Sequence, residues 1–414
     1  MLTRTLAAYR NVYQGLSRST WLLSWVMLVN RSGTMVIPFM TIYLTQPSMG
    51  YTIGQAGIVM GIFGAGAICG GLIGGRLTDK FGFYPVQLIT LAGGGVLFVI
   101  LGLMHSYPLI CGFTFLLSLV NEAFRPANST AIAHYSKKEN RTRSYSLNRL
   151  AINLGWAIGG ALGGILASFN YHLLFWVDGL TNITAALLLK YFLSPASNDP
   201  TALQKKQTGT APVQSAIRDR RYMYFILFTI FFATCFFQMF STLPVYYKQV
   251  LHINEFYIGM LMALNGLIIT FFEMLLVFHL EGKRQSLVYI SRGVLLVAFS
   301  YFLLNILPTS AAMAVCCMVI VTLGEILSMP FMNSFWISRT VQTNRGQYAG
   351  LYTMAWSIAQ VLGPAGGAQI AQHAGFRTLW WVSGALCVAG AIGFDWLRRI
   401  RTSASRLRRD TSAH

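Results

Sequence analysis

The chain has 414 residues, 55% hydrophobic and only 10% charged, with a formal net charge of +19 and a mean hydropathy of +0.54. A soluble domain carries about 25% charged residues, so this composition excludes a soluble protein and indicates a helical chain that crosses a bilayer many times. The basic excess sits in short loops between apolar runs, which argues against nucleic acid as its partner.

The chain opens on a basic stretch, Met1 to Ser19, with Leu2, Leu6, Tyr9, Tyr13 and Leu16 along one helical face. It reads as a cytoplasmic amphipathic helix lying in the interface or, equally, as a partly ordered tail. No cleavable signal peptide is apparent. Twelve apolar runs follow, at about 20–46, 54–75, 85–104, 108–133, 144–169, 172–194, 221–250, 255–281, 285–306, 309–338, 344–372 and 376–397. The polar segment 195–220, with Pro195, Pro200, Gly209 and Pro212, reads as a cytoplasmic linker between six-helix bundles at 20–194 and 221–397. A basic tail, 398–414, closes the chain. Six cysteines fall inside apolar runs without metal-ligand spacing and read as buried thiols.

Of the 31 Lys and Arg, 25 fall in alternate segments that include both ends of the chain, which places both termini in the cytoplasm. The halves repeat. Asn140-Arg141 recurs as Asn344-Arg345, Gly159 and Gly163 recur as Gly363 and Gly367, and Pro126 recurs as Pro330, all at a shift of 204. Glu122 meets Glu325 at 203 and Ile53-Gly54 meets Ile258-Gly259 at 205. Ordered matches at a nearly constant shift indicate a six-span duplication.

After the second span stands Gly75-Arg76-Leu77-Thr78-Asp79-Lys80-Phe81-Gly82. Its glycines permit a tight turn, and Asp79 is placed to cap a helix or face a helix N-terminus. This stretch resembles the loop signature of the major facilitator superfamily, and the resemblance covers nearly the whole chain. It departs at Phe83-Tyr84, where many members carry two basic residues. The resemblance implies twelve transmembrane helices in two pseudo-symmetric bundles, and a conformational latch at Gly75, Arg76, Asp79, Lys80 and Gly82. The fifth span, with Gly155, Gly159, Gly160, Gly163 and Gly164, resembles the glycine-rich signature of the drug–proton antiporter branch; glycine replaces its usual proline at 160. Gly363, Pro364 and Gly367 echo it in the eleventh span. Generic small-residue packing accounts for the same spacing. The first span lacks the glutamate-rich signature of proton-coupled peptide carriers, which disfavours peptide uptake.

Charges inside spans are expensive and mark function by default. Counting residues from the span ends puts Arg31 and Glu122 at one depth near the midplane, with Arg125 one turn nearer the cytoplasm on a similar face. Glu122 is the first candidate proton carrier, with Arg31 facing and tuning it; a static ion pair between spans one and four is the structural alternative. Glu325, with Met329 where Arg125 would recur, is the second candidate. Asp178 reads as a packing or gating residue nearer the outer face, and Glu273 pairs in depth with Arg292. Asn30, Arg125, Tyr43, Gln238, Tyr246, Asn265, Asn333, Trp336, Tyr352 and Trp356 are substrate-cavity candidates by span; their aromatics suit lipophilic cations.

The expected function is secondary active transport: export of small amphipathic or drug-like compounds by alternating access, driven by a proton gradient, with no cofactor, metal or nucleotide loop. The expected setting is a monomer in the plasma (inner) membrane of a bacterium, with protons, a small-molecule substrate and lipid as partners. The alternatives are proton-coupled or facilitated transport of a metabolite, peptide or siderophore, and, more distantly, a transporter-like receptor. The spans hold no nucleophile–base pair, so an enzyme is not expected.

Overall fold

The structure is a computed structural model that describes residues 15–136, 140–193, 216–340 and 344–400. Most of the expected amphipathic N-terminus and of the linker, and the tail from 401 onward, lie outside these residues. Thirteen α-helices carry the described chain: α1 (Arg18–Ser32), α2 (Val36–Leu44), α3 (Ile53–Phe81), α4 (Phe83–Gly102), α5 (Tyr107–Tyr135), α6 (Arg141–Phe169), α7 (His172–Phe192), α8 (Arg220–Phe236), α9 (Thr242–Gln249), α10 (Glu255–Leu280), α11 (Ser286–Ile306), α12 (Ala311–Ser338) and α13 (Arg345–Arg399). The expected first and seventh spans are each broken in two, α1–α2 and α8–α9, the second break carrying a 3₁₀ turn over Phe237–Phe240. The last two expected spans form one continuous assignment, α13, bent at Gly375 with φ 81°. Among the described residues eleven helices are long and apolar enough to cross a membrane, and the bend at Gly375 divides the last of them into two of the twelve runs read from hydropathy.

By contact the described chain forms two compact units. The first holds Met1–Thr208, Gln238–Thr270 and Gln360–Gly375; the second holds Gly209–Phe237, Phe271–Ala359 and Phe376–His414. Segments of the second repeat have therefore changed company.

Glycine rows explain the first unit. On α3, Gly66, Gly70 and Gly74 lie one turn apart and rest on the α5 backbone: a Cβ at Gly74 would stand 2.5 Å from the Ala123 Cα. In lipid, helices associate through such close contacts because apolar burial offers little driving force there. Two further seams run between the repeats, both within this unit. On α3, Gly57, Gly61 and Gly64 meet Ala368, Ala365 and the Gln360–Val361 backbone of α13. On α6, Ala157, Gly160 and Gly164 meet Gly266, Met262 and Gly259 of α10. The duplication relates the two seams, since Gly164 corresponds to Ala368 at the shift of 204. Side chains fasten the same end. The Gly54 N–H donates to Gln372 Oε1 at 2.7 Å, and Glu255 accepts from Lys248 at 2.8 Å and from the Tyr171 hydroxyl at 2.6 Å. Burial and the Glu255 carboxylate push the Tyr171 phenol up, so it remains a donor.

In the second unit, α11 and α12 touch at Gly293 and Gly324. Asp219 caps α8 through the Tyr222 N–H and also accepts from Arg339 Nε at 2.9 Å and Tyr348 at 3.0 Å, tying α8, α12 and α13 together. Three of the six cysteines are buried as expected, but Cys316 is exposed on α12.

Candidate functional site

The site is built around the break in the first span. Gly33 ends α1, and the chain resumes its helix only at Val36. The first N–H groups of any helix lack partners within it. Here Asp178 of α7, fully buried, takes them. Both its carboxylate oxygens accept from the Met35 N–H at 3.0 Å, and Oδ2 also accepts from the Val36 N–H at 2.9 Å. A carboxylate at a helix start also opposes the positive end of the helix dipole. Thr181, on the same helix, occupies the space a Cβ on Gly33 would need. Asn30 donates to Asn182 Oδ1 at 2.8 Å, and Asn182 donates to the Asp178 carbonyl at 2.8 Å. The break is thus clamped from α7 on both sides. Asp178→Ala should unfold at a lower temperature, because two buried N–H groups lose their acceptor at about 1–3 kcal/mol each; Asp178→Asn, which keeps one oxygen, should lose less, and a thermal melt in detergent compares them.

From the other side, Gly155, Gly159 and Gly163 of α6 seat on Arg31, Ser32, Met35 and Phe39: a Cβ at Gly155 would lie 2.5 Å from the Arg31 Cβ. The glycine signature of the fifth span therefore faces the break with one edge and α10 with the other. Its echo does the same for the seventh span. Gln238, in the second break, donates to the Gly363 carbonyl at 2.8 Å, accepts from Thr242 at 2.6 Å and lies against Gly367, while the Pro364 carbonyl meets Gly57.

Below the first break lies a small cavity of about 30 Å³, lined by Asn30, Arg31, Gly33, Thr34, Thr90, Asn121, Glu122 and Asn182 with Phe63, Phe98 and Phe124. Arg31 and Glu122 share it, as depth counting predicts. Their pairing differs from the expectation. Glu122 binds Arg125, one turn along its own helix, at 3.1 Å, with the Arg125 side chain 68% exposed and that of Glu122 15% exposed. The i, i+3 spacing makes that contact local, whereas Arg31 is held back by the clamped break.

Several cavity candidates lie elsewhere. Tyr43 is buried in a ring cluster with Tyr171, His172 and Phe175 instead of lining the cavity. Gln238 braces a helix break, and Tyr246 and Asn265 are buried within the first unit. In the second unit, Trp336 donates to Asn333 at 3.1 Å, and Trp336, Tyr352 and Trp356 follow one another with ring centroids 6.0 and 6.3 Å apart, Trp356 also meeting Phe232, Phe236 and Phe237. Glu325 is half-buried on α12, three turns from Trp336 along one face. Glu273 is buried on α10 and Arg292 is exposed on α11. In the loop signature, Gly82 ends α3 at φ 86°, its N–H donating to the Thr78 carbonyl at 3.0 Å. Arg76, Asp79 and Lys80 are exposed, and a Cβ at Gly75 would meet nothing within 4 Å. Asp79 sits in the last turn of α3 and caps no helix among the described residues, contrary to the expected cap.

Sequence reading gave Asp178 a packing or gating role without its partner, and missed Thr181 and Asn182. The signal for them was their spacing, which puts Asp178 and Asn182 on one face of a span, opposite a Gly33-Thr34 pair in another.

Duplicated spans, broken cavity helices and charges at mid-depth define a multi-pass membrane carrier rather than an enzyme. The family model described as "Major Facilitator Superfamily" matches residues 20–359, and the chain belongs to that family. It is 21% identical to a Na(+), Li(+), K(+)/H(+) antiporter of Planococcus maritimus, over 89% of this chain and 93% of that one. It is 24% identical to the tetracycline resistance protein, class H, of Pasteurella multocida, over 80% and 84%. Among solved structures it resembles a POT family transporter in complex with 5-aminolevulinic acid, with a TM-score of 0.75 at 13% identity, over 92% of this chain and 96% of that one. At that identity the likeness establishes the fold.

Proposed function

We propose that this secondary transporter exports small amphipathic compounds in exchange for protons. The observation that carries the reading is the cavity in which Arg31 and Glu122 meet inside a bundle of membrane helices. Such charges persist where they handle ions or substrate. Relatives named as a cation/proton antiporter and a tetracycline resistance protein support an antiport direction. Glu122 carries the proton, and Glu325, on the aromatic face of α12, is the second coupling group. The aromatic row Trp336, Tyr352 and Trp356 accepts the apolar part of the compound.

In this reading the protein sits in the inner membrane of a bacterium with both termini in the cytoplasm, an orientation supported by the distribution of its basic residues. That orientation puts the two glycine seams and the Lys248–Glu255–Tyr171 contact at the outer end. The chain as described is then closed toward the outside at these four helices. The exposed Arg76–Lys80 turn lies at the inner end, where it latches in the alternate state.

A screen for compounds that stabilise the purified protein, followed by flux in liposomes with an imposed pH gradient, tests the reading. Labelled compound should accumulate against its gradient when protons flow the other way. Flux indifferent to the pH gradient would replace antiport with facilitated transport, and flux in the same direction as protons would replace it with uptake.

A further inference from the structure

Arg31 and Glu122 are the two charged groups lining the cavity, and Glu122 is engaged at 3.1 Å by Arg125, an exposed side chain outside that lining. Among the described residues, the Arg31 guanidinium makes no hydrogen bond and no ion pair, and its Nε is buried. Three other polar side chains of the wall are already engaged. Asn30 binds Asn182, Asn182 binds the Asp178 carbonyl, and the Thr90 hydroxyl donates to the Val86 and Gln87 carbonyls. Buried guanidinium N–H groups left without an acceptor are unfavourable. Planar guanidinium groups are satisfied best by a carboxylate-shaped acceptor held through two parallel N–H bonds.

We infer that the Arg31 pocket receives an anionic head group of the transported compound, a carboxylate or a group of its size. A cation offers the guanidinium N–H groups no acceptor, whereas a carboxylate offers two. The cavity volume of about 30 Å³ admits a head group, not the body of a drug-sized molecule, for which several hundred Å³ are usual. Arg31 lies 13 residues into α1, about 20 Å along the helix axis. A lipid phosphate at the interface is too distant to be the group in question. The inference rests on reading this cavity as the carrier's binding site, and it narrows the substrate class from amphipathic compounds in general to amphipathic acids and zwitterions. It also replaces the sequence-based expectation of lipophilic cations.

The test uses three probes with one aromatic body: 2-naphthoate, 2-naphthamide and 2-naphthyl-trimethylammonium. Each is titrated against the purified full-length protein in detergent, with thermal stabilisation as the readout. The naphthoate should bind at least about tenfold tighter than the amide, the scale of a charged hydrogen-bonded pair. Arg31→Gln should abolish that preference, and Arg31→Lys, which keeps the charge, should retain it in weaker form. The Lys variant decides between the outcomes even where the Gln variant fails to fold. A preference for the ammonium, equal binding of all three, no binding by any, or a preference lost in the Lys variant would overturn the inference. Liposome flux separates this from the transport reading. Proton-driven flux with a cation preference refutes the anionic pocket alone; a carboxylate preference without proton-driven flux refutes the antiport alone.

Discussion

Gly164→Leu is expected to abolish the alternating cycle while leaving the helices formed. A Cβ at Gly164 would stand 2.7 Å from both the Glu255 carbonyl oxygen and the Gly259 Cα. These are backbone atoms of α10, so no rotamer change relieves the collision. The two helices must part, and Met262 and Gly266 lose their seats with them. Overpacking of this kind carries about 3 kcal/mol at the upper end of its usual range, which lowers the population of the closed seam by roughly 100-fold. Hydrogen exchange should accelerate at 157–164 and 259–266, and flux of any compound the protein carries should fall to background. Gly366→Leu is the control, since a Cβ there meets nothing within 4 Å. A Gly164→Leu protein with normal protection and flux would show that the seam is not needed.

Glu122→Gln should separate transport from its energy source. The amide keeps the size of the side chain and a hydrogen-bond acceptor for Arg125, but it neither gains nor loses a proton. One proton moving down a 100 mV potential supplies about 2.3 kcal/mol, enough for a ~50-fold accumulation of compound. In liposomes that ratio should collapse to unity in the variant, while exchange of labelled for unlabelled compound continues. Persistence of pH-driven accumulation would remove Glu122 from the coupling role. It would pass that role to Glu325, for which Glu325→Gln is the matching measurement.

Legibility in the sequence followed the range of the interactions. Hydropathy placed every span to within a few residues because leaving a backbone polar group in lipid is costly, so the helix must run the thickness of the bilayer. The duplication was legible from prolines and glycines because both act through the backbone, where replacement is hardest. The meeting of Arg31 and Glu122 was legible from depth alone, since rise per residue converts position into height. Their pairing was not, because depth says nothing of azimuth: Arg125 was closer to Glu122 around its own helix than Arg31 was across the gap. Tyr43 and Gln238 show the same limit. Each lies on a span expected to line the cavity, yet Tyr43 faces the Tyr171–Phe175 rings and Gln238 the Gly363 carbonyl.

By itself the sequence determined the class of protein, the number of spans, their repeat and the depth of each charge, because these follow from the solvent each residue must tolerate. Only the tertiary structure decided that the first span breaks after Ser32 and that Asp178 holds the break. It likewise decided that the glycines of α6 serve two neighbours at once, and that the buried Arg31 Nε has no hydrogen-bond partner at the cavity wall. These depend on which helix faces start next to which, and that information resides in the contacts between distant residues.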